Sequence, residues 1–168
     1  MTVLVTYATK HGSTREIAEA IATTLVDCGI PTEVLSVGAV ADVGRYDAVV
    51  LGSALYVGRW LKEATEFARR HRDPLNERPL WLFSSGPLGT QVVDAEEQPR
   101  ELAELRETLE PRDHRLFYGA LTRDALGFGE RMVVKAVKAP EGDFRDWDEI
   151  RAWAATIADE LARDSAAS

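Results

Sequence analysis

The stretch that decides the fold covers residues 3–18 and reads VLVTYATKHGSTREIA. It opens with a nearly continuous apolar run, which is typical of a strand that is buried on both faces of a sheet. It ends at the start of a helical pattern in which Ile17, Ile21 and Leu25 recur on one face. Between these parts lies a short segment with hydroxyl side chains and one glycine. The stretch therefore predicts a buried strand, a loop and an amphipathic helix.

The alternation of apolar runs and amphipathic segments continues along the rest of the chain. The five predicted strands are residues 3–7, 32–37, 48–53, 80–84 and 116–121. Helical apolar stripes lie between most of them and after the last, at residues 17–25, 61–71, 102–109 and 150–161. Because neighbouring parallel strands need long right-handed connections, this order predicts an α/β fold. We expect a doubly wound, five-stranded parallel sheet in the order 2-1-3-4-5, covered by helices on both faces as a three-layer sandwich.

The length of 168 residues fits one domain. We predict that this domain covers residues 1–163 and that residues 164–168 form a frayed tail. Asp146 and Glu149 have the spacing of a capping box and predict the start of the last helix. Residues 38–46 leave room only for a short helix or a turn between the second and third strands.

Composition excludes several classes of function. The formal net charge is −8, which argues against a nucleic-acid partner because phosphate neutralisation requires cations. The apolar runs are shorter than a membrane span, and the N-terminus has no leader pattern, so we expect a cytoplasmic protein. The single cysteine, Cys28, excludes an internal disulfide and is predicted to be a small buried or half-buried residue. His11, His71 and His114 lack metal-ligand spacing, and no catalytic residue is predicted.

The loop after the first strand has the composition of an anion site. Thr9, Ser13 and Thr14 supply hydroxyl groups, and Gly12 lets the backbone approach a ligand closely. The helix that follows contributes unpaired N–H groups and a dipole that favours negative charge. A helix cap without any ligand is the alternative. The chain lacks the glycine motifs of dinucleotide and nucleoside triphosphate sites, which leaves a phosphate monoester held mainly by neutral donors.

The loops after the third and fourth strands have the composition of a site for a flat ring. Both combine glycines and small polar residues with a few large apolar side chains. Such loops can stack side chains on the faces of a heterocycle and meet its polar edge with backbone groups. We expect Tyr56 to face the ring and Trp60 to pack with the helix that follows it.

Residues 3–18 resemble the FMN-phosphate signature of the flavodoxin family, and the similarity extends over nearly the whole chain. Residues 14–18, 117–121 and 130–135, with Asp146 and Trp147, resemble the menaquinone-dependent protoporphyrinogen dehydrogenase branch of flavodoxin-like proteins. The resemblance implies a flavodoxin-like FMN-binding domain. It implies that the phosphate is bound by Thr9, Lys10, His11, Gly12, Ser13 and Thr14. It also implies that the isoalloxazine lies between Ala54, Leu55, Tyr56, Val57 and Gly58 on one side and Ser84, Ser85, Gly86, Pro87, Leu88 and Gly89 on the other.

Three functions stay open at this point. The chain could pass electrons to a redox partner protein, or oxidise a porphyrinogen and reduce a quinone, or be an interaction module without flavin. The segment after the fourth strand, residues 86–99, is shorter than in the dehydrogenase branch, which leaves the substrate open. Arg131, Lys135 and Lys138 form a basic patch that would contact porphyrin propionates, a quinone or a membrane surface. The alternative is that they are solvated cations on a covering helix.

Overall fold

The computed structural model describes residues 1–10, 12–56, 59–86, 100–117, 120–121, 142–143 and 145–167. In chain order the elements are β1 (Val3–Ala8), α1 (Ser13–Asp27), β2 (Thr32–Ser36), β3 (Ala48–Tyr56), β4 (Arg59–Trp60), α2 (Lys62–Arg70), α3 (Arg72–Asn76), β5 (Leu80–Ser85), α4 (Arg100–Thr108), β6 (Asp113–Phe117), β7 (Ala120–Leu121), β8 (Gly142–Asp143) and α5 (Trp147–Ala167). Two single 3₁₀ turns, Val37–Ala39 and Val43–Arg45, connect β2 to β3, as the short segment between the strands predicts.

Five parallel strands form the main sheet in the spatial order β2-β1-β3-β5-β6. The short strand β4 pairs antiparallel with the end of β3. Without β4, the order is the predicted 2-1-3-4-5, so the α/β doubly wound fold class is confirmed. The apolar runs of β1 and β5 are buried because helices cover both faces of these strands.

Helices on each face of the sheet complete the three-layer sandwich. On one face, α1 and α5 pack their buried stripes against β1, β3 and β5, and these stripes include Ile17, Ile21, Ile150, Trp153 and Ile157. On the other face, α2, α3 and α4 form a second core, which includes Ala64, Phe67, Leu75, Leu105 and Leu109. The helical periodicity of the sequence therefore marks the faces that the sheet buries.

The ring of Phe83 on β5 occupies the space beside Gly52 on the neighbouring strand β3. A Cβ atom on Gly52 would lie 2.0 Å from the ring of Phe83, so the position has room only for glycine. The ring of Phe83 has its centroid 6.3 Å from those of Phe117 and Trp153. This aromatic cluster joins β5, β6 and α5 below the carboxyl ends of the strands.

The bounds predicted for the last strand are wrong. The strand β6 begins at Asp113 and ends at Phe117, and Ala120–Leu121 instead pairs with β8 in a separate two-stranded sheet. Asp113, His114 and Arg115 are polar, so the hydrophobic pattern does not mark the first half of the strand. The structure accommodates Asp113 there because its Oδ2 accepts a hydrogen bond of 2.9 Å from Trp153 Nε1.

Two predictions about helix ends also need correction. Cys28 is exposed rather than buried, because α1 ends at Asp27 and the chain turns away at Gly29, which has a φ of 87°. The helix α5 runs to Ala167, where the sequence predicts a frayed tail from residue 164. The carboxylate of Asp164 lies 2.8 Å from Arg112 Nη1, which ties this last turn to the start of β6.

Candidate cofactor site

The candidate site lies at the carboxyl edge of the main sheet. The carboxyl ends of β1, β3 and β5 lie side by side there because these strands are parallel neighbours. The strand order reverses between β1 and β3, and such a reversal opens a crevice between the loops on either side. The fold therefore brings together the strand ends that precede the three loops singled out in the sequence.

The loop between β1 and α1 turns on Gly12. This residue has a φ of 86°, a left-handed conformation that glycine adopts without steric cost. Its N–H donates a hydrogen bond of 3.0 Å to Thr9 Oγ1. Its carbonyl accepts a bond of 3.2 Å from the N–H of Glu16, which fixes the first turn of α1. The Thr9 hydroxyl thus shapes the loop, and among the described residues no side chain caps α1.

Thr14 carries the most informative group of the loop. Its residue is 1% exposed, and its Oγ1 has no hydrogen-bond partner among the described residues. A buried hydroxyl without a partner costs about 1–3 kcal/mol. The hydroxyl belongs to the first turn of α1, where backbone N–H groups also need acceptors. A ligand with several acceptor oxygens, such as a phosphate, fits both needs.

The other residues predicted for the phosphate differ in what the structure describes. Ser13 is half-buried at the first position of α1, and it makes a polar interaction of its own. Lys10 is exposed and also has an interaction partner. His11 lies outside the described residues. The described part of the loop therefore brings Thr9, Gly12, Ser13 and Thr14 together at the start of α1.

The first predicted ring segment is not a loop over its whole length. The strand β3 continues to Tyr56 and forms a tight hairpin with β4, in which Leu55 pairs with Trp60 and Tyr56 with Arg59. The prediction that a loop begins at Ala54 is therefore wrong, because antiparallel pairing extends the strand. Ala54 and Leu55 are half-buried. Val57 and Gly58 lie outside the described residues.

The second predicted ring segment begins at the end of β5. Ser84, Ser85 and Gly86 are buried. Gly86 has a φ of 118°, and its N–H donates a bond of 2.9 Å to the carbonyl of Phe117. A Cβ atom there would lie 3.3 Å from the carbonyl oxygen of Leu55, so the two ring segments touch at this point. Pro87, Leu88 and Gly89 lie outside the described residues.

A buried hydrogen-bond chain under the hairpin was not predicted. Trp60 Nε1 donates to Ser84 Oγ at 2.7 Å, and Ser84 Oγ lies 2.9 Å from His114 Nε2. Trp60 lies in β4 and shares a buried cluster with Ala64 and Phe67 of α2, so the predicted packing against the following helix is confirmed. Burial, together with the charge of Arg106, lowers the pKa of His114 to about 4, and Asp113 acts in the opposite direction. The Nε2 of a neutral imidazole can accept a hydrogen bond from the Ser84 hydroxyl. The one feature of the sequence that points to this hydrogen-bond chain is a serine at the end of an apolar strand.

A second feature that the sequence analysis missed is Arg145. Its guanidinium forms an ion pair with Glu16, which lies in the first turn of α1 and is 129 residues away in the chain. The Arg145 side chain is 10% exposed, and its guanidinium lies 4.7 Å from the ring centroid of Trp147. An arginine from the far end of the chain thus lies beside the candidate phosphate loop. No local pattern predicts this contact.

The predicted basic patch of Arg131, Lys135 and Lys138 lies outside the described residues. Among the helices that the structure does describe, none has the length and hydrophobicity to cross a membrane.

Comparisons with known proteins point in one direction. A family model described as the flavodoxin domain matches residues 4–148. Protoporphyrinogen IX dehydrogenase [quinone] of Escherichia coli K12 is 24% identical over 172 residues, with 94% of this chain and 95% of that protein covered.

Solved structures agree on the fold. A flavodoxin from the domain Archaea superimposes with a TM-score of 0.63 at 19% identity and covers 96% of this chain and 99% of its own. The flavodoxin of Streptococcus pneumoniae TIGR4 gives a TM-score of 0.65 at 18% identity, with 98% and 99% covered.

Proposed function

Because the chain belongs to the flavodoxin-domain family and is an FMN-binding redox protein, we propose that the FMN phosphate lies in the loop between β1 and α1. In this proposal Thr9, Gly12, Ser13 and Thr14 hold the phosphate. The isoalloxazine lies between the end of β3 and the end of β5. When bound, FMN supplies the redox chemistry, and the protein supplies binding and orientation.

The observation that carries this proposal is the buried hydroxyl of Thr14, which has no hydrogen-bond partner among the described residues. A phosphate oxygen at the N-terminus of α1 would accept its O–H proton and would also accept backbone N–H groups of the first turn. Gly12 supports the same position, because its left-handed backbone curls the loop without a side chain in the way. The helix dipole adds a favourable interaction with the dianion.

The contact between Leu55 and Gly86 supports the proposed place of the ring. Leu55 lies near the end of β3, and Gly86 directly follows β5, so the approach occurs at the carboxyl ends of these strands. Ser84 and Ser85 sit below it without large side chains that would fill the space. The net charge of −8 disfavours further negative charge on a bound flavin, so we expect the protein to lower the reduction potential of FMN.

A dehydrogenase acting on a porphyrinogen, with a quinone as electron acceptor, is the second candidate function. The observation that favours it is the match with the dehydrogenase of Escherichia coli over 95% of that protein's length. In this role the predicted cations Arg131, Lys135 and Lys138 would attract the propionate groups of the substrate. A protein that passes electrons between redox partner proteins does not need to bind a small-molecule substrate.

Two measurements test these functions in sequence. The full chain is mixed with FMN, and the excess is removed; a retained flavin spectrum that bleaches reversibly with dithionite is expected. A colourless protein would instead support an interaction module without flavin. The flavin-loaded protein is then supplied anaerobically with protoporphyrinogen IX and a menaquinone analogue. Porphyrin fluorescence that rises only with quinone present supports the dehydrogenase, and its absence with an active flavin supports the shuttle.

A further inference from the structure

We infer that Arg145 is a positioning residue for the cofactor phosphate, which acts by neutralising Glu16 so that the loop accepts a dianion. This inference rests on the proposed function, because it assumes that the phosphate lies at the start of α1. It identifies a determinant of the preference for FMN over riboflavin that lies outside the phosphate loop itself.

The need for such a residue follows from the position of Glu16. Its N–H bonds to the carbonyl of Gly12, so its backbone lies one helical turn from the start of the helix. One turn is roughly 5 Å along the axis, well within the screening length of about 8 Å at physiological salt. A carboxylate at that distance opposes a dianionic phosphate. The protein as a whole adds to the repulsion, since its net charge is −8.

In the structure, the positive charge that balances the Glu16 carboxylate lies directly against it. The guanidinium of Arg145 contacts the Glu16 carboxylate. The neighbouring cation in the same turn, Arg15, is engaged elsewhere, because its Nε bonds to Glu19 at 2.9 Å one turn further along the helix. Arg145 therefore offsets the carboxylate that the phosphate would otherwise face.

The position of Arg145 is fixed by its surroundings. Its side chain is only 10% exposed, and its guanidinium lies over the ring of Trp147 at 4.7 Å. Trp147 is the first residue of α5, whose start is capped by Asp146. Arginine stays charged at every relevant pH, so the countercharge does not titrate away.

The ligand pair FMN and riboflavin isolates the phosphate from the ring. Calorimetry on the full chain would measure both dissociation constants for the wild type and for Arg145→Met. We expect the variant to bind FMN about tenfold more weakly, which corresponds to ~1.4 kcal/mol. Its riboflavin affinity should stay within about twofold. Arg151→Met is the matched control, since Arg151 is 57% exposed and pairs with Asp148 on α5.

A second substitution tests the same inference from the other side of the ion pair. Glu16 is 57% exposed, so Glu16→Gln should fold normally. This variant removes the negative charge beside the loop while the charge of Arg145 stays in place, and we expect its FMN affinity to rise several-fold without a change for riboflavin. In the Arg145→Met background, Glu16→Gln should restore most of the lost FMN affinity.

The outcomes separate this inference from the proposed function. A wild type that binds FMN while Arg145→Met leaves the affinity unchanged overturns the role of Arg145 alone. Equal losses for FMN and riboflavin in that variant also overturn it, because a structural defect would affect both ligands. A lower FMN affinity in the Glu16→Gln variant would also overturn the role of Arg145. A wild type with no preference for FMN over riboflavin overturns the phosphate site and the inference together.

Discussion

The N-termini of α1 and α5 differ in how they satisfy their first turn. At α5, Asp146 Oδ1 accepts a hydrogen bond of 3.1 Å from the N–H of Glu149, as the predicted capping box requires. At α1 no described side chain caps the turn, and Thr14 Oγ1 is buried without a partner. Both helices lie on the same face of one sheet. The start of α5 is therefore capped from its own chain, whereas the described residues at α1 leave a buried donor for the phosphate proposed there.

The largest expected effect on FMN affinity comes from placing a carboxylate at the start of α1. Gly12→Asp places a negative charge at the N-cap of α1, where aspartate adopts a left-handed backbone more readily than most residues. The charge would occupy the phosphate position, so we expect FMN affinity to fall by about a hundredfold or more. Calorimetry of Gly12→Asn is the control for shape. An equal loss with asparagine would show that backbone strain, not charge, blocks the ligand.

A third region is the hydrogen-bonded chain of Trp60, Ser84 and His114. Its polar groups have partners within the protein, as the first turn of α5 does. The folded-state pKa of His114 is lowered to about 4 by burial and Arg106, against the opposing charge of Asp113. The unfolded chain therefore binds the proton first as the pH falls. Stability from this group is complete above about pH 6.5 and is lost as the pH falls toward 4, by about 3 kcal/mol.

Urea unfolding of the wild type and of His114→Gln between pH 7 and pH 4 measures this contribution. The difference in pH dependence between the two proteins should match the loss expected from His114. Parallel curves for the two proteins would contradict a lowered pKa. At pH 7, where the imidazole is neutral, the ratio of FMN to riboflavin affinities should be the same in both, because His114 is not part of the phosphate loop.

Removing the buried hydroxyl of Thr14 tests its proposed contact with the phosphate at the start of α1. Thr14→Val keeps the shape of the side chain and deletes the group without a partner. We expect FMN affinity to fall by about tenfold, because one donor to the phosphate is lost. The stability of the flavin-free protein should rise by up to ~1 kcal/mol, because a buried unpaired hydroxyl is removed.

Thermal unfolding without flavin and calorimetry with FMN check the two halves of this prediction. Thr24→Val is the matched control on the same helix, since Thr24 Oγ1 already bonds to the carbonyl of Ala20 at 3.0 Å. A Thr14→Val protein that is clearly less stable without flavin would mean that the hydroxyl is satisfied in the free protein.

The smallest expected effect comes from breaking the cap of α5. Asp146→Ala removes the acceptor for the Glu149 N–H and should lower the free energy of unfolding by about 1 kcal/mol. The FMN affinity should hardly change, in contrast to substitutions at the start of α1. Asp148→Ala, whose side chain is 98% exposed, is the control. A large loss of FMN affinity in Asp146→Ala would erase the contrast between the two helix ends.

The sequence predicted those parts of the fold in which one local pattern dominates. The apolar runs of β1, β3 and β5 and the stripe of α5 are local signals, so strand order and layers followed from them. The polar start of β6 escaped prediction because Asp113 is satisfied by Trp153, a partner from a distant helix. Hairpin β3–β4 was missed because its pairing overrides the helical spacing that Trp60 shares with α2.

The same division holds for the candidate site. The loop proposed for the phosphate could be singled out because its glycine and hydroxyl residues lie close together in the sequence. The Arg145–Glu16 pair and the Ser84–His114 contact could not, because they join residues 129 and 30 positions apart. Such charges and donors come together only in the folded chain. The sequence alone therefore identifies the loop but not these long-range contacts.

The ratio of the dissociation constants of riboflavin and FMN for the wild-type chain is the decisive measurement of phosphate binding at the start of α1. The two ligands share the ring and differ in the phosphate that the start of α1 is proposed to hold. We predict that FMN binds at least about a hundredfold more tightly, as several charge-assisted hydrogen bonds to a dianion would require. Equal affinities for the two ligands would contradict the account, because the open end of α1 would then bind no phosphate.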